Sequence, residues 1–455
     1  MIAVMSFCGL CVLLVLGKII RTYIPLFQRL YLPASVIGGG LGLLIITIIG
    51  DRISPEWYAS WSKLPGFLIN IVFASLFLGV RHSGRKGAMK LAMPQICFGQ
   101  ITAWGQYVVG LAVVLLFLGP LFGVPNVFGN LIEIGFEGGH GTVGGLARTF
   151  DQLGWKEGAD LGYTMATAGM IFGIVIGMVL INIAARRGDV SNIRTFDDLS
   201  LLERRGIYRF RRQPAAGRET VHSDSVDSLA LHIAVIGIAV LIGFGMKEGL
   251  ALLNHVAPGW IRETHILASF PLFPLCMIGG LILQYVLRKT KAHVIVDGGQ
   301  MQHLSGAALD FLVVSAVASI QIKFVIAYWL PLLILIVAGT LWNVALVWYL
   351  GPRIFKEAWF ERSIAEFGQS MGVTATGLLL LRTVDPENKT CASSAFGYKQ
   401  LFHEPIMGGG IWTSLAVPLV IQKVGVLVLG ICLAFLLMWF TIWRCFFYVK
   451  TPQNE

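Results

Sequence analysis

Residues 132–151 read IEIGFEGGHGTVGGLARTFD, between two long apolar segments. The stretch holds six glycines, at 135, 138, 139, 141, 144 and 145, with a carboxylate at Glu137, an imidazole at His140 and a hydroxyl at Thr142. Backbone of this kind cannot face lipid as an ordinary helix, because unpaired N–H and C=O groups find no water in hydrocarbon. It reads as a broken or re-entrant segment lining a cavity, where freed backbone dipoles and half-helix N-termini can grip ions and anions. Gly138, Gly139 and Gly141 permit the tight turns whether or not they touch a solute.

Composition agrees with a membrane setting. Of 455 residues, 56% are hydrophobic and 13% charged, with a mean hydropathy of +0.74. That is too apolar for soluble domains of this length. A formal net charge of +10 would suggest nucleic acid in a soluble protein. Here the basic residues occupy short loops between apolar runs, so lipid is the expected partner and nucleic acid is not. The seven cysteines fall mostly inside apolar runs, and the Cys8–Cys11 pair reads as two small hydrophobes on a helix. With no Walker A, HExxH or GxSxG pattern and one short polar linker, neither enzyme chemistry nor a cofactor is expected.

The apolar runs 2–17, 33–50, 64–80, 94–118 and 159–185 precede a polar linker, 186–228, with nine arginines and seven acids. The first lacks a basic flank and a cleavage site, and reads as a retained helix. Beyond the linker come 229–253, 266–287, 304–320, 324–350 and 394–421, with a second irregular stretch at 363–383 and a further apolar run at 425–443. Each run is long enough to cross ~30 Å of hydrocarbon. The predicted fold is an all-α polytopic membrane protein. It has five spans in each of 1–185 and 229–423, hairpins at about 123–150 and 363–384, and an extra apolar helix with a short tail in 424–455.

The halves read as copies. Pro33, Ile37, Gly38 and Gly39 recur 241 positions later as Pro274, Ile278, Gly279 and Gly280. Phe136 and Gly141 recur as Phe367 and Gly372 (offset 231), and Arg148, Thr149 and Asp151 as Arg382, Thr383 and Asp385 (offset 234). Gly162, Tyr163 and Gly173 recur as Gly397, Tyr398 and Gly408 (offset 235). Matches in one order at nearly one offset indicate an internal repeat. An odd number of spans per repeat inverts the second copy. With the N-terminus outside, the inward loops carry Arg81, Arg85, Lys86 and Lys90, the linker arginines, Arg288, Lys289, Lys291, Arg353, Lys356 and Arg362. The outward loops carry scattered charges such as Arg52, Lys63, Arg262 and Lys323, so the linker is expected in the cytoplasm. The hairpins then enter from opposite faces with tips meeting near the midplane, as in inverted-repeat carriers. A channel is the rival class.

Gly138-Gly139-His140-Gly141-Thr142 reproduces the GGHGT motif of the bacterial sodium/glutamate symporters, and Gly372-Val373-Thr374-Ala375-Thr376 resembles that family's second-repeat motif. Gly17-Lys18, Pro33 with its glycines, and Phe402-x-x-Pro405-x-x-Gly408 are similar to the family pattern too, over about residues 10–425. The resemblance implies ten membrane helices with two re-entrant hairpins, a mobile core against a scaffold, a homodimer in the bacterial inner membrane, and sodium-driven uptake of glutamate. Glu137 stands where the family commonly has serine, Ala375 where it has proline, Thr413 near an expected acid, and Asp310 where a small polar residue is expected.

The candidate solute site is therefore Glu137, Gly138, Gly139, His140, Gly141 and Thr142 on one tip, with Gly372, Thr374, Ala375 and Thr376 on the other. The threonines can alternatively bond their own helix carbonyls. Arg148 and Arg382 either receive a solute carboxylate in a two-bond fork, or pair with Asp151 and Asp385 or snorkel. Glu137, Asp310 and Asn70 are the candidates for ion or proton coupling, since an acid at the bilayer centre costs ~2.5–3.5 kcal/mol on insertion scales. Glu366 lies nearer the inner surface, within reach of water, and Lys18 and Lys247 read as interface anchors. The expected function is cation-coupled carriage, sodium first, of glutamate or a similar small anionic solute. A proton-coupled carrier of another organic acid or amino acid is the alternative.

Overall fold

The computed structural model describes residues 2–30, 32–49, 55–79, 88–190, 200–208, 213–256, 270–385, 389–421 and 425–449. Arg52, Arg81, Arg85, Lys86, Arg194, Arg209, Arg211, Arg212 and Arg262, used above for orientation, lie outside them. Every regular element among the described residues is helical. The first half comprises α1 (Ile2–Tyr23), α2 (Ala34–Ile49), α3 (Pro55–Ser75, with Pro65 inside), α4 (Ala88–Val113, continuing as a wider turn to Leu118), α5 (Gly139–Gln152) and α6 (Gly158–Arg187). The second comprises α7 (Ser228–Val256), α8 (Leu272–Lys289), α9 (Gly298–Ala318), α10 (Trp329–Tyr349), α11 (Trp359–Val384), α12 (Ala392–His403), α13 (Ile411–Leu419) and α14 (Gly425–Ile442). Nine helices among the described residues are long and apolar enough to cross a membrane, and the run from Gly425 to Phe447 is one of them. Trp443 Nε1 donates to the Arg353 carbonyl (3.1 Å), as does the Val449 amide (2.8 Å), placing the end of that run beside the turn that follows α10.

The helices form two groups. In one, α1, α2, α3, α7, α8 and α9 pack together; in the other, α10, α11, α12 and α14 pack around α4, with α6 against α10 and α11, while α5 bridges the groups, packing on α6 and on α3 and α9. Glycine lets backbones touch in the first group, as it does between membrane helices generally. A Cβ on Gly17 would run into Ala34 O and Gly38 N, and one on Gly279 into Ala239 O and Gly243 N. Gly38 and Gly279, 241 positions apart in sequence, thus sit at the α1–α2 and α7–α8 crossings. Their neighbours exchange partners: Gly39 abuts Val317 on α9, whereas Gly280 abuts Ala74 on α3.

The backbone breaks at three places. After a 3₁₀ turn (Asn126–Asn130) and a π turn (Glu133–Glu137), the chain swings at Gly139 (φ +66°) into α5. Within α11 it folds back at Gly372 (φ −156°, ψ 43°) and Val373 (φ 60°, ψ 175°), so that Gly368 on one arm touches the Gly377 backbone on the other. These are the two expected irregular stretches. The third corrects the reading of 394–421 as one span. α12 ends at His403, Gly408 and Gly409 take φ of +67° and +108°, and α13 starts at Ile411. Pro405 and three consecutive glycines explain the break.

The linker is docked where it is described. Lys18 Nζ donates to the Arg205 and Gly206 carbonyls (3.0 and 2.9 Å). Asp297, the N-cap of α9, accepts from the Gln300 and Arg218 amides (3.0 and 3.2 Å). Burial works against the Asp297 carboxylate, but these amide bonds outweigh it and hold its pKa below the ordinary value. Their contribution to stability is therefore present above the unfolded-state pKa and fades as pH falls through the folded one.

Candidate functional site

A cavity of about 630 Å³ lies between the two helix groups, walled by α2, α3 and α9 on one side and by all three breaks on the other. Of the candidate residues, Glu137, Gly138, His140, Gly141, Gly372, Thr374, Ala375, Thr376 and Asp310 line it. Gly139 stands just behind, where a Cβ would strike the Val373 side chain, so the two hairpin tips touch. Thr142 is fully buried and donates to the Gly408 carbonyl (3.1 Å), satisfying backbone freed by the third break. Asn70 donates to carbonyls of its own helix, Gly66 and Phe67 (2.8 and 3.1 Å). Arg148 and Arg382 are exposed and do not reach the cavity.

Residues the sequence reading passed over complete the site. Glu133 is fully buried and accepts from three donors: Tyr107 Oη (2.6 Å), Thr413 Oγ1 (2.7 Å) and the Gly408 amide (2.8 Å). Three donors around one side chain match a carboxylate, which only accepts. Thr413, near the position where the family pattern places an acid, therefore meets one supplied from across the break. Glu133 precedes Glu137 by four positions, one helical turn, and that spacing was the available signal.

His403 lies behind Glu137. Trp104 Nε1 can only donate, and it donates to Gln100 Oε1 (2.9 Å). The amide is thereby oriented so that Gln100 Nε2 donates to His403 Nδ1 (3.1 Å). This assigns the ring proton to Nε2, which donates to Glu137 Oε1. Glu137 Oε2 has no hydrogen-bond partner, although only 3% of the residue is exposed. On the opposite tip, Thr374 Oγ1 and Gln400 Nε2 donate to Glu404 Oε1 (2.9 and 3.0 Å), and Glu404 also lines the cavity. The Thr167 hydroxyl donates to the Tyr163 carbonyl (2.9 Å), so its oxygen accepts from His140 Nε2 (2.9 Å) and leaves His140 Nδ1 an acceptor.

A second network lies deeper. Lys399 Nζ is 3.0 Å from Glu366 Oε2 and donates to Gln369 Oε1 (2.8 Å), with both members of the ion pair fully buried. Glu366, expected within reach of water, is instead enclosed; its Oε1 accepts from Gln95 Nε2 (2.8 Å), whose Oε1 accepts from Arg362 Nε (2.8 Å). Gln106 and Asn343 donate to the Ser370 carbonyl (2.6 and 2.9 Å) beside the second tip. Side chains of α4 and α10 thus supply what water cannot give to irregular backbone at membrane depth. Lys399, His403 and Glu404 were legible as ionisable residues inside an apolar run.

Two helix N-termini open at the cavity, α5 at Gly139 and the returning arm of α11 at residue 374. Their first-turn N–H groups lack intrahelical partners and carry the positive end of the dipole. The site can therefore hold negative charge on backbone and positive charge on Glu137, Glu404 and Asp310.

A family model described as sodium/glutamate symporter matches residues 1–384, ending with the last residue of α11. No curated protein matches the chain.

Proposed function

The chain belongs to the sodium/glutamate symporter family, and on that premise we propose that it carries a small carboxylate-bearing solute together with sodium by alternating access. It is a multi-pass membrane protein of a transporter family. The observation that carries the proposal is the convergence of three backbone breaks on one cavity at the boundary between two helix groups. The solute carboxylate meets the helix N-termini at Gly139 and residue 374, while cations meet Glu137, Glu404 and Asp310. Cation charge offsets the desolvation of the anion, so the loaded core crosses more readily than the half-loaded one. In this reading 1–185 and 229–423 are inverted repeats, the linker is cytoplasmic, and the carrier is a homodimer in the bacterial inner membrane.

Proteoliposomes under an inward sodium gradient are expected to accumulate label from a mixture of radiolabelled L-amino acids including glutamate, and to lose it when an ionophore collapses the gradient. Flux indifferent to the gradient would overturn coupling, and unitary currents would indicate a channel. Proton coupling is the second reading, favoured by the hydrogen-bonded chain from Trp104 through Gln100 and His403 to Glu137. Accumulation driven by a proton gradient without sodium would select it.

A further inference from the structure

We propose that the solute is a zwitterionic amino acid with an apolar side chain, its ammonium group held by Glu137 and Glu404. This rests on the symport reading and narrows it. Glu137 is the observation that points to a ligand. It lines the cavity, is 3% exposed, and has one oxygen on His403 and the other without a partner. A buried carboxylate oxygen left unpaired is costly, and an N–H donor from a bound solute removes that cost. Glu404 uses Oε1 on Thr374 and Gln400 and presents a second carboxylate to the same space.

The remaining wall decides the rest of the solute. Asp310 adds a third carboxylate, and no lysine or arginine is among the described residues that line the cavity. Lys399 does not line the cavity; its charge reaches Glu137 and Glu404 from behind them while its Nζ is engaged by Glu366 and Gln369, and Arg148 and Arg382 are exposed elsewhere. One carboxylate is accommodated by the helix N-termini at the tips. A second would face like charges with no lining side-chain cation to meet it, leaving sodium alone to neutralise the solute and the wall together, an arrangement that disfavours a dicarboxylate. Ile69, Phe73, Met170 and Ile174 instead offer an apolar surface to a hydrocarbon side chain.

The test compares radiolabelled L-leucine and L-glutamate singly in proteoliposomes under a sodium gradient, with 4-methylpentanoate, which lacks the ammonium, as a competitor. Leucine uptake is expected to be saturable and sodium-driven, with glutamate and 4-methylpentanoate competing at least about tenfold more weakly than unlabelled leucine. Glu137→Gln is expected to weaken leucine uptake by at least about tenfold, with its melting temperature reported alongside. Asp310→Asn, on a different helix, is expected to improve competition by glutamate. Sodium-driven uptake of glutamate with leucine inert would overturn this inference and leave the symport reading standing. If neither solute nor any other amino acid moves under either gradient, both readings fall together. Equal competition by 4-methylpentanoate and leucine would remove the role given to the ammonium.

Discussion

Lys399→Met is expected to destabilise the protein by about 3–5 kcal/mol, the cost of leaving one member of a buried ion pair without its partner. Arg362 also feels the Glu366 charge, but its guanidinium is engaged by Gln95 Oε1 and the Leu91 carbonyl, and the ion pair of Glu366 is with Lys399. Gln95 already occupies Oε1, and Oε2 lies 3.0 Å from Lys399 Nζ with both side chains fully buried. Gly99 shows how tightly the space is filled, since a Cβ there would meet the Lys399 side chain and Glu366 Oε2. The pair ties α12 to the first arm of the second hairpin, so the loss is expected as early melting in detergent rather than as a defect in solute recognition. The double variant Lys399→Met with Glu366→Met should recover most of the loss, because two apolar side chains can substitute for a pair whose desolvation nearly cancels its attraction. A single variant that melts with the wild type would mean the pair carries no net weight.

Gly139→Val is expected to cut the initial uptake rate about a hundredfold, the effect of raising the tip-to-tip arrangement by about 3 kcal/mol. Two costs combine. Gly139 has φ +66°, where a side chain costs about 1–2 kcal/mol and a β-branched one more. Its Cβ would also collide with Val373 on the other tip. Val373→Ala in the same chain should restore part of the rate by relieving the collision, while the backbone cost stays. An uptake rate unchanged in Gly139→Val, with normal melting, would show that the tips need not meet during the cycle.

The parts of this architecture with local signatures were readable. Glycine density announced the first break, apolar run length the long helices, and the spaced glycines of 33–39 and 274–280 the close helix crossings. What escaped depends on contacts far apart in sequence. Glu133 stood in the first stretch quoted, but its three donors lie 26, 275 and 280 positions away. The third break hid because 394–421 is apolar on average, although Lys399 and His403, four apart and on one face of α12, mark it as no ordinary span. Of the two alternatives offered for Arg148 and Arg382, the solute fork required a place at the cavity that neither residue has; both are exposed. Arg148 follows Gly139 by nine residues, and at 1.5 Å per residue that puts it roughly 13 Å along the helix from the tip.

Val373 combines φ 60° with ψ 175°, a region almost reserved for glycine, and does so with a β-branched side chain. Such a conformation stores about 1–3 kcal/mol and persists only where its surroundings impose it. Here the surroundings include the other tip, because the valine side chain abuts Gly139. On the proposed alternating-access cycle, parting the tips would release that restraint, so bound solute and cations would have to supply what closes them. On that cycle sodium arriving alone would fall short of closure and little of the ion gradient would be wasted; solute-free sodium flux through the wild type is therefore expected to be a small fraction of coupled flux, and a large leak would show that the dihedral holds nothing back.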